Sequence, residues 1–297
     1  MDDVFVFSIA QLAVKAVLSV AAAYPKPGLV TPLDDGPDGA DFQTAMDGAL
    51  ALLPCCINCA SIGGETADLG PEDVMTLLRP AGKHGERDVL GATQGLRAHR
   101  GAVFFMGLLC AAAGRLCAQE MDLNPRALTL TASSFARGIV EKHLGRLASG
   151  KPEADRERTQ GERAYLACGL KGARGEAELG FGLTLRTASL LKELEPRLPM
   201  RERLAHALLF VLSENEDTAL WSGDRGSGGL SLVRETARAA LEAGGMMSSA
   251  GREAIAAMDR SLRERALAPR GGANVLSAAL FALKARSRGK ANRGTAR

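Results

Sequence analysis

Arg97, His99 and Arg100 stand close together in the run Thr93-Gln94-Gly95-Leu96-Arg97-Ala98-His99-Arg100-Gly101, immediately ahead of an apolar stretch from Ala102 to Leu109. That stretch reads as a buried helix. Its first turn would present unpaired N–H groups and the positive end of a helix dipole, which together attract phosphate. Guanidinium groups beside them make a site suited to a polyphosphate. A basic loop that merely solvates the helix entry is the alternative. Positive charge at a helix N-terminus is locally unfavourable, however, so an anion explains the pattern better. Two further segments mix charge with glycine: Pro25-Lys26-Pro27-Gly28 and Ala173-Arg174-Gly175-Glu176-Ala177. Glycine costs a helix about 1 kcal/mol relative to alanine. Taken singly, each segment reads either as backbone approaching a ligand or as the end of a helix.

In this order and at these separations, the three segments resemble the triphosphoribosyl-dephospho-CoA synthase family. The family's proline turn, Pro-Lys/Arg-Pro-Gly-Leu-Val, is Pro25 to Val30 here. Its Thr-x-Gly-Val-Asn-Thr-His-Lys-Gly run is matched by Thr93, Gly95, His99, Arg100 in place of lysine, and Gly101. Its Ala-Arg-Gly-Glu-Ala…Gly-Phe run, the most specific of the three, is matched by Ala173 to Ala177 with Gly180 and Phe181. A later Asp-Thr pair, followed by arginine and two glycines, corresponds to Asp217-Thr218, Arg225 and Gly228-Gly229. The resemblance spans about residues 8 to 245. The chain departs from the pattern in three places. Arg97-Ala98 replaces Asn-Thr, the stretch Gly36 to Asp41 (with Pro37) lacks the family's histidine, and Ala219 stands where the family tends to have asparagine.

The resemblance implies glycosyl transfer. Members take ATP and 3'-dephospho-CoA, release adenine, and join the 5'-triphosphoribosyl group to the acceptor's 2'-hydroxyl, making a prosthetic-group precursor for an acyl carrier protein. Charge builds on the ribose carbon as adenine leaves, much as in glycoside hydrolysis. A carboxylate must face that cation, and a base must take the hydroxyl proton. Cations must hold the triphosphate, with Mg2+ expected among them. Lys26, Arg97, Arg100, Arg174 and Arg225 are the candidate phosphate ligands, with Gly28, Gly101 and Gly175 beside them in the motifs. His99 suits acid–base work or phosphate binding. Asp41, Glu86, Glu176 and Glu178 are the carboxylates near the motifs, and Glu176 is the one inside a family motif. Glu216 and Asp217 could bind magnesium, or could simply mark an acidic helix terminus. The departures keep two other readings open. One is a related transferase with a changed acceptor, of the kind used in one-carbon pterin cofactor synthesis. The other is a helical protein that binds nucleotide without turnover.

Helices must position these residues. Helical spacing or apolar content points to helices over about 8–23, 41–61, 71–78, 101–119, 125–148, 156–168, 184–195, 200–213, 230–244, 250–266 and 273–286. No stretch sustains period-two alternation, so no substantial sheet is expected. Neither a P-loop nor a strand-led G-x-G-x-x-G is present. Hydrophobic content of 46% with only 4% aromatic suits close packing of small-residue helices. The expected fold is all-α: a single globular multi-helix bundle over residues 1–283, with glycine-rich loops forming the nucleotide site. A basic, disordered tail is expected over 284–297. Its lysines and arginines outweigh the chain's net charge of +3, so the body is net negative and is no nucleic-acid-binding surface. Cys56-Ile57-Asn58-Cys59 has no second ligand pair for zinc and no strand before it, and the cysteines read as buried small hydrophobes. Met1-Asp2-Asp3 lacks the positive start of a signal peptide. The longest apolar run, Gly101 to Gly114, falls short of the roughly 20 residues that span a bilayer. A cytoplasmic protein without membrane contact, able to form a homodimer, is expected.

Overall fold

Alanine- and glycine-rich helices can approach one another closely, and this chain uses that freedom along one central seam. The computed structural model describes residues 2–37, 39–96, 99–148, 158–221 and 228–295, and among them there is no β-strand. The first helices are α1 (Asp3–Ala21), α2 (Phe42–Leu50), α3 (Leu53–Glu65), α4 (Pro71–Ala92) and α5 (Arg100–Ala118). Next come α6 (Pro125–Phe135), a π-helical turn over Glu141–Gly145, the one-turn α7 (Arg146–Ala148), α8 (Gln160–Cys168), α9 (Gly172–Glu178) and α10 (Gly182–Glu193). The chain closes with α11 (Met200–Glu214), a 3-10 turn over Thr218–Leu220, α12 (Gly228–Glu242), α13 (Ser249–Glu264) and α14 (Arg270–Thr295).

Two helices form the centre. α5 is apolar on every side, and only a helix buried all round can carry that pattern. α14 packs against α1, α5, α10 and α11 and buries the run from Val275 to Ala282. α3 runs in the same direction as α5 and makes the tightest seam with it. A Cβ on Gly63 would lie 1.9 Å from the Ala111 carbonyl oxygen, and one on Gly114 would lie 2.0 Å from that of Ala60. Cys55, Cys56, Cys59 and Cys110 are buried near this seam, as small hydrophobes; Cys117 is half-buried and Cys168 is exposed. Segments on both sides of residues 149–157 contribute to one continuous core.

Several sequence expectations shift. The segment Gly172–Glu178, read as a charged glycine turn, is helical, whereas Thr93, Gln94 and Gly95 form a turn with Gly95 at φ +88°, and only Arg100 and Gly101 of that motif belong to α5. Single stretches expected over 41–61 and 125–148 are broken, whereas α4 continues through Pro80 to Ala92. The tail expected to be disordered from residue 284 extends α14, whose backbone is helical to Thr295. Three stretches, Asp3–Ala21, Phe42–Glu65 and Arg100–Ala118, are long and apolar enough by length and composition to cross a membrane, which corrects the shorter span taken from the apolar run alone. In the fold, 78% of the most apolar window of α5 is buried against other helices.

The seam predicts opposite signs for two glycine-to-alanine changes. Gly63→Ala should lower stability by about 1–3 kcal/mol, because two helix backbones must move apart. Gly82→Ala, in open space within α4, should raise it by up to about 1 kcal/mol. Urea denaturation of the two variants checks both.

Candidate active site

Three helix N-termini meet at one cleft of about 290 Å³. Arg100, Gly101, Phe104 and Phe105 come from the start of α5, Thr159, Gln160 and Gly161 from the start of α8, and Arg270, Gly271, Asn274 and Val275 from the start of α14. Ala173 and Arg174 of α9, the segment Asn215 to Ala219, Glu86 and His99 complete the lining. Each helix start brings the positive end of its dipole. α8 carries a full capping box from Thr159 and Glu162, whereas no side chain caps α5. The arginines add three full charges. Against them stand three carboxylates: Glu86, which pairs with Arg100 at 3.1 Å, and the neighbours Glu216 and Asp217.

His99 occupies the N-cap position of α5 with φ 56°, a left-handed conformation uncommon outside glycine. Its ring reaches past Gly48, where a Cβ would lie 2.9 Å from the imidazole Cδ2. Nε2 lies 2.8 Å from the Ala45 carbonyl oxygen. A carbonyl only accepts, so Nε2 carries the proton, and Nδ1 is the open lone pair of the neutral ring. Burial, with a smaller contribution from the Lys26 charge, lowers the imidazole below its ordinary pKa, although the Ala45 bond opposes this. His99 is therefore a neutral acceptor at pH 7.

Asp217 is fully buried in the cleft's base. Its Oδ1 accepts the Ala219 N–H at 3.0 Å and its Oδ2 the Gly272 N–H at 3.2 Å, so it caps α14 from a distant part of the chain. A Cβ on Gly271 would lie 2.6 Å from Asp217 Oδ1, so glycine is what admits the carboxylate. Burial raises its pKa to about 6, outweighing the backbone N–H groups of Ala219, Gly272 and Gly271 and the charge of Arg270. Glu216 is exposed and accepts the Lys171 N–H at 3.2 Å. Gln160 donates from Nε2 to the carbonyls of Ala219 and Trp221, tying α8 to the same segment.

The structure thus gathers His99, Arg100, Gly101, Glu86, Arg174, Glu216 and Asp217 and leaves other candidates outside the cleft. Asp41 is exposed and caps α2 through the Thr44 N–H. Glu176 Oε1 accepts both the N–H and the hydroxyl of Thr184, holding the first turn of α10. Gly175 is buried beneath the Lys171 side chain. Lys26 is buried, donates to the Val20 and Ala21 carbonyls at the end of α1, and is pushed down by burial to about 7. Gly28, at φ +67°, packs where a Cβ would lie 2.5 Å from the Leu267 carbonyl oxygen, and its N–H binds Asp259. Arg97, Ala98 and Arg225 lie outside the described residues. Sequence reasoning missed Arg270, Asn274 and Gln160. The first two had a signal: Arg270-Gly271-Gly272 precedes an apolar run, repeating the pattern of Arg100-Gly101.

Comparison with known proteins adds an independent finding. A family model described as ATP:dephospho-CoA triphosphoribosyl transferase matches residues 7–293. The chain is 36% identical over 275 residues to the 2-(5''-triphosphoribosyl)-3'-dephosphocoenzyme-A synthase of Klebsiella pneumoniae, covering 90% of this chain and 87% of that protein. It is 35% identical over 282 residues to the probable synthase of the same name from Citrobacter koseri, covering 92% and 88%. No solved structure matches the chain.

The Asp217 carboxyl should make stability depend on pH in a defined direction. Its folded pKa lies above the ordinary carboxylate value, so its contribution is full below about pH 4 and is lost as pH rises through about 6. Relative to Asp217→Asn, the parent chain should lose on the order of 3 kcal/mol across that window, measured by urea denaturation at stepped pH. Glu176→Ala should cost about 1 kcal/mol of stability as a lost cap while leaving the affinity for inorganic tripolyphosphate unchanged. Arg174→Ala should weaken that affinity at least tenfold, as for a charge-assisted contact.

Proposed function

The chain belongs to the ATP:dephospho-CoA triphosphoribosyl transferase family, and we propose that the cleft among α5, α8 and α14 is where it moves the triphosphoribosyl group of ATP to dephospho-CoA. One observation carries this reading: helix N-termini and arginines converge on a space that also holds carboxylates. The first set suits a triphosphate. The second suits the cationic sugar that forms as a glycosidic bond breaks.

Arg100, Arg174 and Arg270 hold the triphosphate with the first turns of α5 and α14. The bond from ribose C1' to adenine N9 breaks, and its electron pair leaves with the purine. Asp217, ionised above about pH 6, faces the ribose cation from the cleft's base. The acceptor's 2'-hydroxyl oxygen bonds to C1', and its proton passes to Nδ1 of His99, the open nitrogen of a ring held by Ala45. The purine takes up one proton, so the transfer as a whole releases none.

A magnesium ion belongs to this proposal as a companion of the triphosphate. Among the described residues no group of three or more His, Cys, Asp or Glu side chains forms a cage for a metal. Magnesium is commonly held by one or two carboxylates together with substrate phosphates. Glu216, exposed at the cleft, is the residue that would hold it there, and the ion would neutralise phosphate charge. We place the reaction in the cytoplasm, where ATP is available.

Incubation with ATP, magnesium and 3'-dephospho-CoA should release free adenine, and only when the acceptor is present. His99→Gln should lower kcat by about 100-fold or more with little change in ATP binding. Adenine measured by chromatography decides it: a chain that binds ATP and releases none refutes the proposal.

A further inference from the structure

A second cavity of about 70 Å³ lies against α1, the proline turn and α14, and shares His99, Arg270 and Asn274 with the cleft. That volume accommodates roughly five waters, about the size of one purine base. Most of its wall is aliphatic. Such a wall opposes a phosphate, because a buried charge must be paired, and the Lys26 amine already donates to two backbone carbonyls. α14 contributes Arg270, Ala273, Asn274 and Ser277 at the i, i+3, i+4, i+7 spacing of one helix face. Ser277 gives its hydroxyl proton to the Ala273 carbonyl at 2.8 Å, which leaves its oxygen as an acceptor. The Asn274 amide makes no hydrogen bond with another described residue. It sits over Gly101, where a Cβ would lie 2.3 Å from Nδ2, so a glycine reserves the place of an unpaired amide at the junction of the two cavities.

We propose that this side cavity is a purine-base site in which Asn274 reads the base, donating one hydrogen bond to a ring nitrogen and accepting one from the exocyclic amine. An amide carries both groups side by side, which is why asparagine pairs with adenine elsewhere in molecular recognition. The inference rests on the cleft being the site of triphosphoribosyl transfer, since ATP and dephospho-CoA both carry adenine. The aliphatic wall covers the faces of the base, and His99 and Arg270 stand between the base and the cleft.

Equilibrium dialysis of the full chain against adenine, ATP, dephospho-CoA and inorganic tripolyphosphate tests this. Two variants are compared with the parent: Asn274→Ala, which removes the amide, and Ala273→Leu, which fills the cavity. Retained tripolyphosphate binding reports an intact fold and an intact cleft in each. Adenine should bind the parent, and Asn274→Ala should weaken it about tenfold or more. A matching loss for ATP alone assigns the cavity to the leaving base; a matching loss for dephospho-CoA alone assigns it to the acceptor's base. Adenine affinity unchanged in both variants, with tripolyphosphate still bound, overturns the purine site and leaves the cleft reading standing. A parent chain that fails to bind tripolyphosphate overturns the cleft reading and the purine site with it.

Discussion

A buried carboxylate is the constraint on which the cleft depends. Asp217 is 3% exposed, and an ion in that position costs several kcal/mol unless hydrogen bonds replace its water. The Ala219 and Gly272 N–H groups replace part of it, helped by the positive end of α14, but burial outweighs them and the carboxyl keeps its proton up to about pH 6. The bonds work only if the segment after α11 presses against the first turn of α14, with no side chain at Gly271. Gln160 then fastens α8 to the same segment through the Ala219 and Trp221 carbonyls. One buried carboxyl group that must be hydrogen-bonded thus brings together three walls of the cleft.

The opposite wall is held by packing rather than charge. α5 must end where its first turn opens into the cleft, and the α3–α5 seam sets where it lies. Gly63 and Gly114 let the two backbones approach so closely that the helices cannot slide without collision. Phe181, fully buried just past α9 at the end of the motif that forms that helix, packs its ring 5.5 Å from that of Phe105, a cleft residue. The most specific family motif therefore serves the site partly by supporting it from below.

Charge in the cleft is arranged rather than merely accumulated. Arg100 is paired with Glu86, and Arg270 lies beside Asp217, so the arginines are oriented before any anion arrives. Preorganised donors of this kind need no rearrangement when charge develops. His99 follows the same logic. Gly48 clears space for its ring, Ala45 fixes one nitrogen, and burial keeps the ring neutral, so a single lone pair is left for chemistry.

Local signals were legible from the residues alone. Helix class, the anion-attracting start of α5 and the family motifs all depend on neighbours along the chain: apolar spacing, glycine next to arginine, and the order of short segments. What those signals left undecided was which carboxylate and which cations share a space. Glu176 sits in the most specific motif yet caps a helix, and Lys26 sits in another yet closes the end of α1. Asp217, Arg270 and Asn274 lie far apart in sequence from His99 and reach it only through the packing of α14 beside α5. Chain composition and periodicity determined that helices would form and that phosphate would be attracted to one of their ends. Tertiary structure alone decided which side chains meet there, because the face a residue presents depends on the helices packed against it.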